Sequence, residues 1–243
     1  MNQPAAMFEF AILFEDGEAL VIDKPAGLPI DRPRAGGISL DDHLDALRFG
    51  FQRPPAAVHR LDQDTSGCLL LARNAKAHKR YAAAFEARQV GKVYLGVVAG
   101  EVAEDSGTIA LNLSKISSAE KGWRMIPARA GKPAVTHWQV VARLEGLTLV
   151  EFRPETGRTH QIRVHALAGL GAGLLGDPIY GSGADAALGA HRTMLHAAAI
   201  TVPRDGKPPI SATAPLPADF TALGFAMPEP ATPEEPDACP QTI

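Results

Sequence analysis

The feature that most constrains the fold of this chain is a long succession of short apolar segments separated by turn residues. Segments with the length and composition of strands are Phe8–Asp16, Ala19–Pro25, Cys68–Ala72, Lys92–Gly100, Thr136–Arg143, Leu147–Phe152 and Ala197–Val202. Helical spacing of apolar residues is found in Ser39–Phe49, from Asn74 to about Val90, and in Thr159–Ala168. Because predicted strands outnumber helices and many are consecutive, the sequence predicts an α+β fold with a mixed, mostly antiparallel central sheet flanked by helices and loops.

The segments between these elements are predicted as connections. Ala26–Gly37 is rich in Gly and Pro, which is typical of a loop. Gly107–Thr136 is polar and is predicted to be irregular, with a hairpin as an alternative for part of it. The Pro- and Glu-rich segment 228–243 predicts a disordered tail, which leaves residues 1–227 as one domain.

Length and composition are those of a globular protein. The chain has 243 residues, of which 46% are hydrophobic and 21% charged, enough to bury a sizeable core. No apolar run approaches the roughly 20 residues of a membrane helix, and Met1–Ala6 lacks the pattern of a secretory signal. The sequence therefore predicts a cytoplasmic protein with no membrane partner. Cys68 lies in an apolar run and Cys239 in the polar tail, so no disulfide framework and no cysteine zinc site are predicted.

The charge balance bears on a nucleic-acid partner. The formal net charge is −3, but the last sixteen residues hold four acids and no Lys or Arg; without them the chain carries 24 basic and 23 acidic residues. A body so close to neutral has no general attraction for nucleic acid. Any RNA contact must therefore come from a local cluster of Arg and Lys in a cleft.

A polar segment, His59–Gly67, precedes one of the predicted strands. It holds Asp62 close to Arg60, and an acid beside a cation on a loop is a candidate catalytic carboxylate. The alternative is a structural turn, because the residues at 64–66 are types that bond to their own backbone. Local composition by itself favours the turn.

A second polar segment, Thr156–His165, runs from a turn into a predicted helix. Its two arginines and two histidines can grip phosphates, helped by free N–H groups at the helix start. Ion pairs on the solvated side of a helix explain the same residues equally well. Two further segments, Gly176–Gly181 and Arg192–Ala197, are on their own typical of a tight turn and of the edge of a core strand.

The joint occurrence of these segments is far more specific than any one of them. Their order and spacing resemble the RluA-type pseudouridine synthases over about Leu13–Phe220. The matching motifs are Leu20–Leu28, His59–Gly67, Lys92–Gly100, Thr156–His165, Gly176–Gly181, Leu195–Ala197 and Ala214–Pro217. The resemblance implies the pseudouridine synthase fold with a central active-site cleft within residues 1–227. It also implies isomerisation of specific uridines in ribosomal RNA, transfer RNA or both. Many members carry an N-terminal S4-type RNA-binding domain, and this chain is expected to be a short form without one.

The resemblance implies roles for individual residues. Asp62 corresponds to the catalytic aspartate, acting either as a nucleophile toward C1′ or as a base that takes a proton from C2′. Arg163 is expected to pair with Asp62 and keep it ionised, because a guanidinium can bind a carboxylate bidentately. Tyr94 is expected to pack against the flipped uracil, the alternative being a core aromatic on a strand. Arg60 is expected to fill the vacated stack or to hold a phosphate.

The remaining expectations concern binding and cofactors. Arg158 and His160 are predicted RNA contacts, His165 a helix-packing or phosphate-contact residue, and His196 a structural residue. Within the resembling family the reaction needs no metal or other cofactor, and none is predicted here. RNA is the predicted partner, and the protein is expected to be a monomer.

Two other function classes compete with this interpretation. One is a metal-dependent phosphoesterase, whose ligands would be His59, Asp62, Asp64, His160 and His165. These residues lack the common spacings of metal ligands, and Arg60 and Arg163 would repel the ion. The other is a non-catalytic RNA-binding module, which an intact Asp62 with both arginines argues against.

Overall fold

The computed structural model of the protein describes residues 9–118, 120, 122–181 and 188–228. Its strands are β1 (Ile12–Glu15), β2 (Ala19–Lys24), β3 (Ala56–Ala57), β4 (Ser66–Ala72), β5 (Gly91–Ala99), β6 (Ser106–Ser118), β7 (Gly122–Pro127), β8 (Lys132–Leu144), β9 (Leu147–Pro154), β10 (Leu195–Val202) and β11 (Ile210–Thr213). Its α-helices are α1 (Ala75–Glu86), α2 (Gln161–Leu170) and α3 (Ala218–Ala222). Within the described ranges, no helix is long and apolar enough to cross a membrane.

The described strands form one eleven-stranded sheet in the order β1-β2-β4-β10-β5-β9-β8-β6-β7, with β3 against β4 and β11 against β10. Neighbouring strands are antiparallel, except that β4 and β10 are parallel. The predicted α+β class with a mixed, mostly antiparallel sheet is confirmed.

Strand β10 joins the two parts of this sheet. It lies between β4, from the first third of the chain, and β5, which begins the long antiparallel part. At the parallel junction Gly67 is opposite Ala197 and has φ +106°, and a Cβ there would lie 2.2 Å from the Ala197 carbonyl oxygen. Only glycine fits this close approach, because it has no side chain and accepts a positive φ.

The predicted helix after Asn74 is present but shorter. The Asn74 side chain accepts a hydrogen bond from the Ala77 N–H at 2.9 Å, as an N-cap should. Helix α1 ends at Glu86 rather than near Val90, because Arg88 takes a left-handed conformation with φ +59°. Cys68 is buried, as expected. Cys239 and the predicted disordered tail from Glu229 onward lie outside the described residues.

The prediction of one helix over Ser39–Phe49 is wrong. Two short 3₁₀ helices, Leu40–Asp42 and Leu44–Arg48, occupy this segment. The Asp42 carboxylate accepts the Ser39 N–H at 2.9 Å, and the first helix stops at His43. Leucines spaced four and three residues apart can face a core from two tight turns as well as from an α-helix, so the spacing did not separate the two structures.

The prediction of an irregular Gly107–Thr136 is also wrong, although the hairpin alternative is confirmed. Strands β6, β7 and the start of β8 fill the segment. Buried Ile109 and Leu113 alternate with exposed polar residues along β6. A strand with one solvent-exposed face carries few apolar residues. Its sequence therefore resembles that of a loop. The short β11 and α3 were not predicted.

Two apolar layers cover the faces of the long antiparallel part of the sheet. On one face, Ile162 and Ala166 of α2 pack on Phe152, Val150 and Trp138. The other face is covered by residues of the C-terminal part of the chain, including Met194, Phe220 and Phe225. Helix α2 is thereby fixed on the sheet, so that its first turn has a defined position.

Candidate active site

Asp62 lies in a loop that precedes the buried strand β4. Leu61 is buried beside it, and the Thr65 N–H donates to the Asp62 carbonyl at 3.1 Å to close a turn. The side chain of Asp62 is 32% exposed. The turn expected from local composition is therefore present, and it carries a partly exposed carboxylate just before an interior strand of the sheet.

Lys24 at the end of β2 holds one side of this loop. Its ammonium is fully buried and donates to the carbonyls of Pro25, Leu28 and Gln63 at 2.7, 2.8 and 3.0 Å. Burial lowers the pKa of Lys24 to about 8, against the raising effect of nearby carboxylates. A buried ammonium needs such partners, and here they tie Gln63, the neighbour of Asp62, to the second strand.

Arg192 holds the other side of the loop. Its guanidinium donates to the Asp64 carbonyl at 3.0 Å and to the Ser66 hydroxyl at 3.3 Å, and it pairs with Asp219 at 2.6 Å. His196 is fully buried, and its Nδ1 lies 2.9 Å from the same Ser66 hydroxyl. The loop is thus bonded on both sides of Asp62 to elements far apart in sequence.

Arg163, the third residue of α2, reaches the Asp62 carboxylate. Its Nη1 lies 3.1 Å from Asp62 Oδ2, while its Nε and Nη2 donate to the two oxygens of Asp177 at 2.6 and 2.8 Å. The Asp177 side chain is fully buried and also accepts the N–H groups of Ile179 and Tyr180. The bidentate ion pair with Asp177 therefore fixes Arg163, and the remaining nitrogen, Nη1, faces Asp62.

Opposing effects set the ionisation of this pair. Burial alone would lower the pKa of Arg163, but Asp177 and Asp62 outweigh it and raise the pKa above its ordinary value. Burial would raise the pKa of Asp177, but its bonds from Arg163 and two backbone N–H groups hold it below the ordinary value. Both groups are charged at neutral pH, so a fixed positive charge faces Asp62.

The start of α2 is anchored by Gln161. Its amide donates to the Val135 carbonyl and the Thr136 hydroxyl, both at 2.9 Å, and its oxygen accepts the Thr156 hydroxyl at 2.6 Å and the Arg158 N–H at 3.0 Å. These bonds join the turn before the helix to β8. They anchor the first turn of the helix, which carries Arg163.

His160 lies immediately before α2, in a left-handed conformation with φ +52°. Its Nε2 is 4.0 Å from Asp62 Oδ2, and its Nδ1 is 3.0 Å from the Tyr180 hydroxyl, which accepts the Met125 N–H at 2.8 Å. Burial raises the pKa of Tyr180, so its phenol keeps its proton and can donate it to Nδ1. The neutral His160 ring then carries its proton on Nε2, facing Asp62.

Tyr94 on β5 lies at the boundary between two apolar clusters, next to Phe152 on β9 and Ala197 on β10. Its side chain is partly buried. Burial and the negative charge of Asp62 raise the pKa of Tyr94. It is therefore a neutral phenol close to the carboxylate, and it can donate a hydrogen bond but cannot act as a base at neutral pH.

Of the other residues singled out from the sequence, some lie at the rim of the candidate site and others lie in the protein interior. Arg60 is 78% exposed and pairs with Asp31 at 3.0 Å. Arg158 lies at the rim, with its Nε donating to the Pro133 carbonyl at 3.1 Å. His165 is buried, with Nδ1 2.9 Å from the Thr136 hydroxyl, and burial lowers its pKa to about 4. His165 therefore faces away from any RNA phosphate.

His59 does not point to the carboxylate. Its Nε2 accepts the Leu70 N–H at 3.0 Å, and its ring stacks on Phe85 at 4.7 Å. Burial lowers the pKa of His59 to about 3, so the ring is neutral, as its acceptor role requires. Among the described residues, no group of three or more His, Cys, Asp or Glu is arranged to hold a metal ion.

Sequence reasoning missed several residues of this site. Asp177 was part of a segment interpreted as a tight turn, and Tyr180 in the same segment bonds to His160. Lys24 lies in a motif of the resembling family and Arg192 in a segment interpreted as the edge of a core strand, and neither residue was given a role. The available signal for Lys24 was its place at the end of a strand that begins with four apolar residues, because a charge buried with such a strand needs a specific set of partners.

Comparison with known proteins shows the family of this chain. The sequence model described as RNA pseudouridylate synthase matches residues 18–168, which include Asp62, Tyr94 and Arg163. A relative named as an uncharacterized RNA pseudouridine synthase of Zymomonas mobilis is 54% identical over 214 residues, covering 88% of this chain and 97% of that protein. The chain belongs to the RNA pseudouridylate synthase family, whose members are isomerases that act on RNA.

Two further relatives extend the comparison. The ribosomal large subunit pseudouridine synthase D of Pseudomonas aeruginosa is 40% identical over 177 residues, which cover 71% of this chain and 54% of that protein. The chain thus spans about half the length of that relative. The solved structure of human RNA pseudouridylate synthase domain containing 1 superposes with a TM-score of 0.73 at 27% identity, covering 94% of this chain and all of that one.

Proposed function

We propose that Asp62 is the catalytic residue of this RNA pseudouridine synthase. The single observation that carries the proposal is the carboxylate of Asp62 at 3.1 Å from a guanidinium that Asp177 fixes from behind. A carboxylate that must stay ionised while a nucleotide covers it needs such a fixed cation, because removal from water disfavours its charge. The loop bonds from Lys24 and Arg192 keep its position constant.

The reaction moves the bond between ribose and uracil from one ring atom of uracil to another. The bond between ribose C1′ and uracil N1 breaks, the base rotates, and a bond forms between C1′ and C5. C5 loses its hydrogen as a proton, and N1 gains one. Asp62 can attack C1′ and leave as the new bond forms, or it can take the C2′ proton and return it. Both routes require the same ionised carboxylate beside the sugar.

Tyr94 and His160 are proposed to contact the reacting nucleotide. Tyr94 is a neutral phenol next to Asp62, suited to pack against the flipped uracil and to donate a hydrogen bond. His160 carries its Nε2 proton toward Asp62 and can donate to a ribose or uracil oxygen. Burial lowers the pKa of His160, against the raising effect of Asp62, so the ring acts as a neutral donor.

The proposed substrate is a uridine in folded RNA, which must be flipped out at a cost of roughly a few kcal/mol. Arg60 is proposed to fill the vacated position, since its exposed ion pair with Asp31 is easily exchanged for a phosphate or a base. Arg158 is proposed to bind a phosphate at the rim. Because a relative is named for the large ribosomal subunit, large-subunit ribosomal RNA is the first substrate to test, with transfer RNA as the second.

Location and assembly are proposed on the same grounds. A monomer is proposed because the contacts that hold Asp62 to Arg163, and Arg163 to Asp177, form within one chain. The proposed substrates are made and used in the cytoplasm, which is therefore the proposed location.

The test is release of tritium from RNA labelled at uridine C5, because C5 loses its hydrogen in every turnover. Wild-type protein should release tritium from bulk ribosomal or transfer RNA, and Asp62→Asn should release none. Asp64→Asn is the matched control, two residues away in the same loop, and should keep activity. Release by Asp62→Asn at the wild-type rate would overturn the assignment of Asp62. No release by folded wild-type protein would overturn the substrate assignment.

A further inference from the structure

The β6–β7 hairpin carries an exposed tryptophan at the edge of the candidate site. Trp123 is 43% exposed, although tryptophan is usually well buried. Its ring stacks on His160 with centroids 4.9 Å apart and an angle of 30°. The Nε2 of His160 is 4.0 Å from Asp62. A single aromatic ring therefore separates Trp123 from the carboxylate.

A lysine ammonium lies over the Trp123 ring. The ammonium of Lys115, on the neighbouring strand of the hairpin, lies 4.7 Å from the centre of the Trp123 ring. Lys115 is itself exposed, and a contact between an exposed lysine and an aromatic ring contributes little to stability. The lysine can therefore leave the ring when a better anionic partner arrives, and the ring can then accept another flat group.

A groove of about 470 Å³ continues from this hairpin. It is lined by residues of β6, β7, the start of β8 and the loop before α2, and its cations are Lys115, Lys132 and Arg158. None of the described residues that line it is acidic. Within the described ranges, no carboxylate forms an ion pair with any of these three cations.

These three cations line one groove, and none of its described lining residues is acidic. The formal net charge is −3, and many other arginines at the surface are paired with carboxylates, as Arg143 is with Asp105. A groove that collects unpaired cations on such a protein is suited to a polyanion. Lys115, which lines the groove, lies against Trp123, and Trp123 stacks on His160. The Nε2 of His160 is 4.0 Å from Asp62, so a strand lying in the groove and stacked on Trp123 would continue to Asp62.

We infer that this groove binds the nucleotides next to the target uridine, with one neighbouring base stacked on Trp123 and its phosphates held by Lys115, Lys132 and Arg158. The inference rests on the proposed function and deepens it. An aromatic ring can stack only on a base whose face is free. The preferred substrate is therefore a uridine in a loop or bulge whose neighbour is also unpaired.

The experiment uses the Asp62→Asn protein, which binds RNA without turning it over, and hairpin RNAs with one uridine in an unpaired loop. The chain has only two tryptophans, and Trp138 is buried. Binding should quench the tryptophan emission, and Trp123→Leu should remove that quenching. Trp123→Leu should weaken binding roughly 5- to 100-fold, and Trp123→Phe should restore most of the loss because it keeps an aromatic face.

Abasic RNA distinguishes stacking from a structural effect on His160. Replacing the neighbouring base by an abasic site, on the 5′ side in one RNA and on the 3′ side in another, should weaken binding to the parent protein. On the abasic RNA that removes the stacked base, Trp123→Leu should have no further effect. Phe51→Leu, which alters an exposed aromatic residue outside the groove, is the matched control and should bind like the parent.

The salt dependence of binding tests the phosphate contacts separately. Lys115→Ala and Lys132→Ala should each reduce the slope of log K against log salt by about one contact. Equal slopes for these variants and the parent would overturn the phosphate part of the inference. No quenching of the parent protein's tryptophan emission by RNA, or an unchanged affinity in Trp123→Leu, would overturn the stacking part. Because emission, affinity and salt slope report binding whether or not the RNA is turned over, these outcomes are independent of whether the tritium assay supports Asp62 as the catalytic residue.

Discussion

Two neighbouring regions of the molecule are built in opposite ways. One is the Asp62 network, which consists of Asp62, Arg163 and Asp177. The other is the groove that contains Lys115, Lys132 and Arg158, named here the β6–β7 groove, together with Trp123 beside it. In the network, Arg163 and Asp177 are buried and bonded to one another at 2.6 and 2.8 Å. In the groove, Trp123, Lys115 and Lys132 are exposed. One region has its charges paired within the protein, whereas the other offers cations to a partner.

The difference reflects what each region has to do. Bond breaking at one ribose needs the same geometry in every turnover, and paired buried charges fix geometry because they cannot move without losing their partners. An RNA strand arrives in several conformations, and exposed long side chains adapt to it at small cost. Substitutions in the two regions should therefore have different kinds of effect as well as different sizes.

The largest effect is expected for Asp177→Asn. The substitution keeps an oxygen for the N–H groups of Ile179 and Tyr180 but removes the charge that Arg163 needs. Breaking a buried pair from one side typically costs about 3–5 kcal/mol, and denaturant unfolding would measure it, with tritium release also falling. Asp105→Asn, at an exposed ion pair, is the control. A loss below about 1 kcal/mol in Asp177→Asn would mean that the network does not fix the site.

A smaller effect is expected for Arg163→Lys, and the quantity that should change is the rate of tritium release. An ammonium cannot bond to both oxygens of Asp177 and still face Asp62, because it lacks the planar fork of arginine. Losing one charged hydrogen bond of about 1.5–3 kcal/mol would slow tritium release roughly 10- to 100-fold. Arg153→Lys, at an exposed pair with Glu151, should release tritium at the wild-type rate. Full activity in Arg163→Lys would contradict the pairing role.

Acid should weaken the interior further through His165. Its pKa is about 4 when folded, against an ordinary value of 6.5, because it is buried as the neutral ring. The unfolded chain therefore binds a proton between these values that the folded protein does not, and stability falls as the pH drops from 6.5 to 4. We expect about 1–2 kcal/mol of acid-dependent loss after solvent screening. Unfolding measured at several pH values should show a shallower slope for His165→Asn, and an equal slope would refute this assignment.

The smallest effect on stability is expected in the groove. Lys132→Ala removes an exposed lysine without a paired carboxylate among the described residues, so unfolding free energy should change by less than about 0.5 kcal/mol. RNA affinity should fall all the same. A large loss of stability on this substitution would show that the two regions are not built differently, because the lysine would then hold the fold.

The motifs predicted much of the fold and of the site, for identifiable reasons. Strands with two buried faces, such as β4, are apolar throughout and were predicted with nearly correct bounds. Asp62 and Arg163 belong to motifs whose order is specific, and they lie 3.1 Å apart in the structure. The resemblance thus predicted residues that are 101 positions apart in sequence to be neighbours.

Other features depend on contacts that have no local pattern. Asp177 sits in a segment that looks like an ordinary turn, and only the fold brings it to Arg163. Trp123 lies on β7, within the segment predicted to be irregular. That prediction failed because the solvent-exposed residues of the neighbouring strand β6 hide the alternation of its buried residues. The segment at Ser39–Phe49 was predicted with the wrong helix type, because the same leucine spacing suits both types.

The position of β10 in the sheet sets the order in which the enzyme can become active during its synthesis. β4 and β5 do not pair directly; β10 lies between them, and it is made after residue 194. Arg192, which holds the Asp62 loop, comes only three residues earlier. A nascent chain that has already exposed Asp62, Tyr94 and Arg163 therefore still lacks the strand that unites them. The two parts of the sheet that carry these residues can therefore be joined only after β10 has been synthesised.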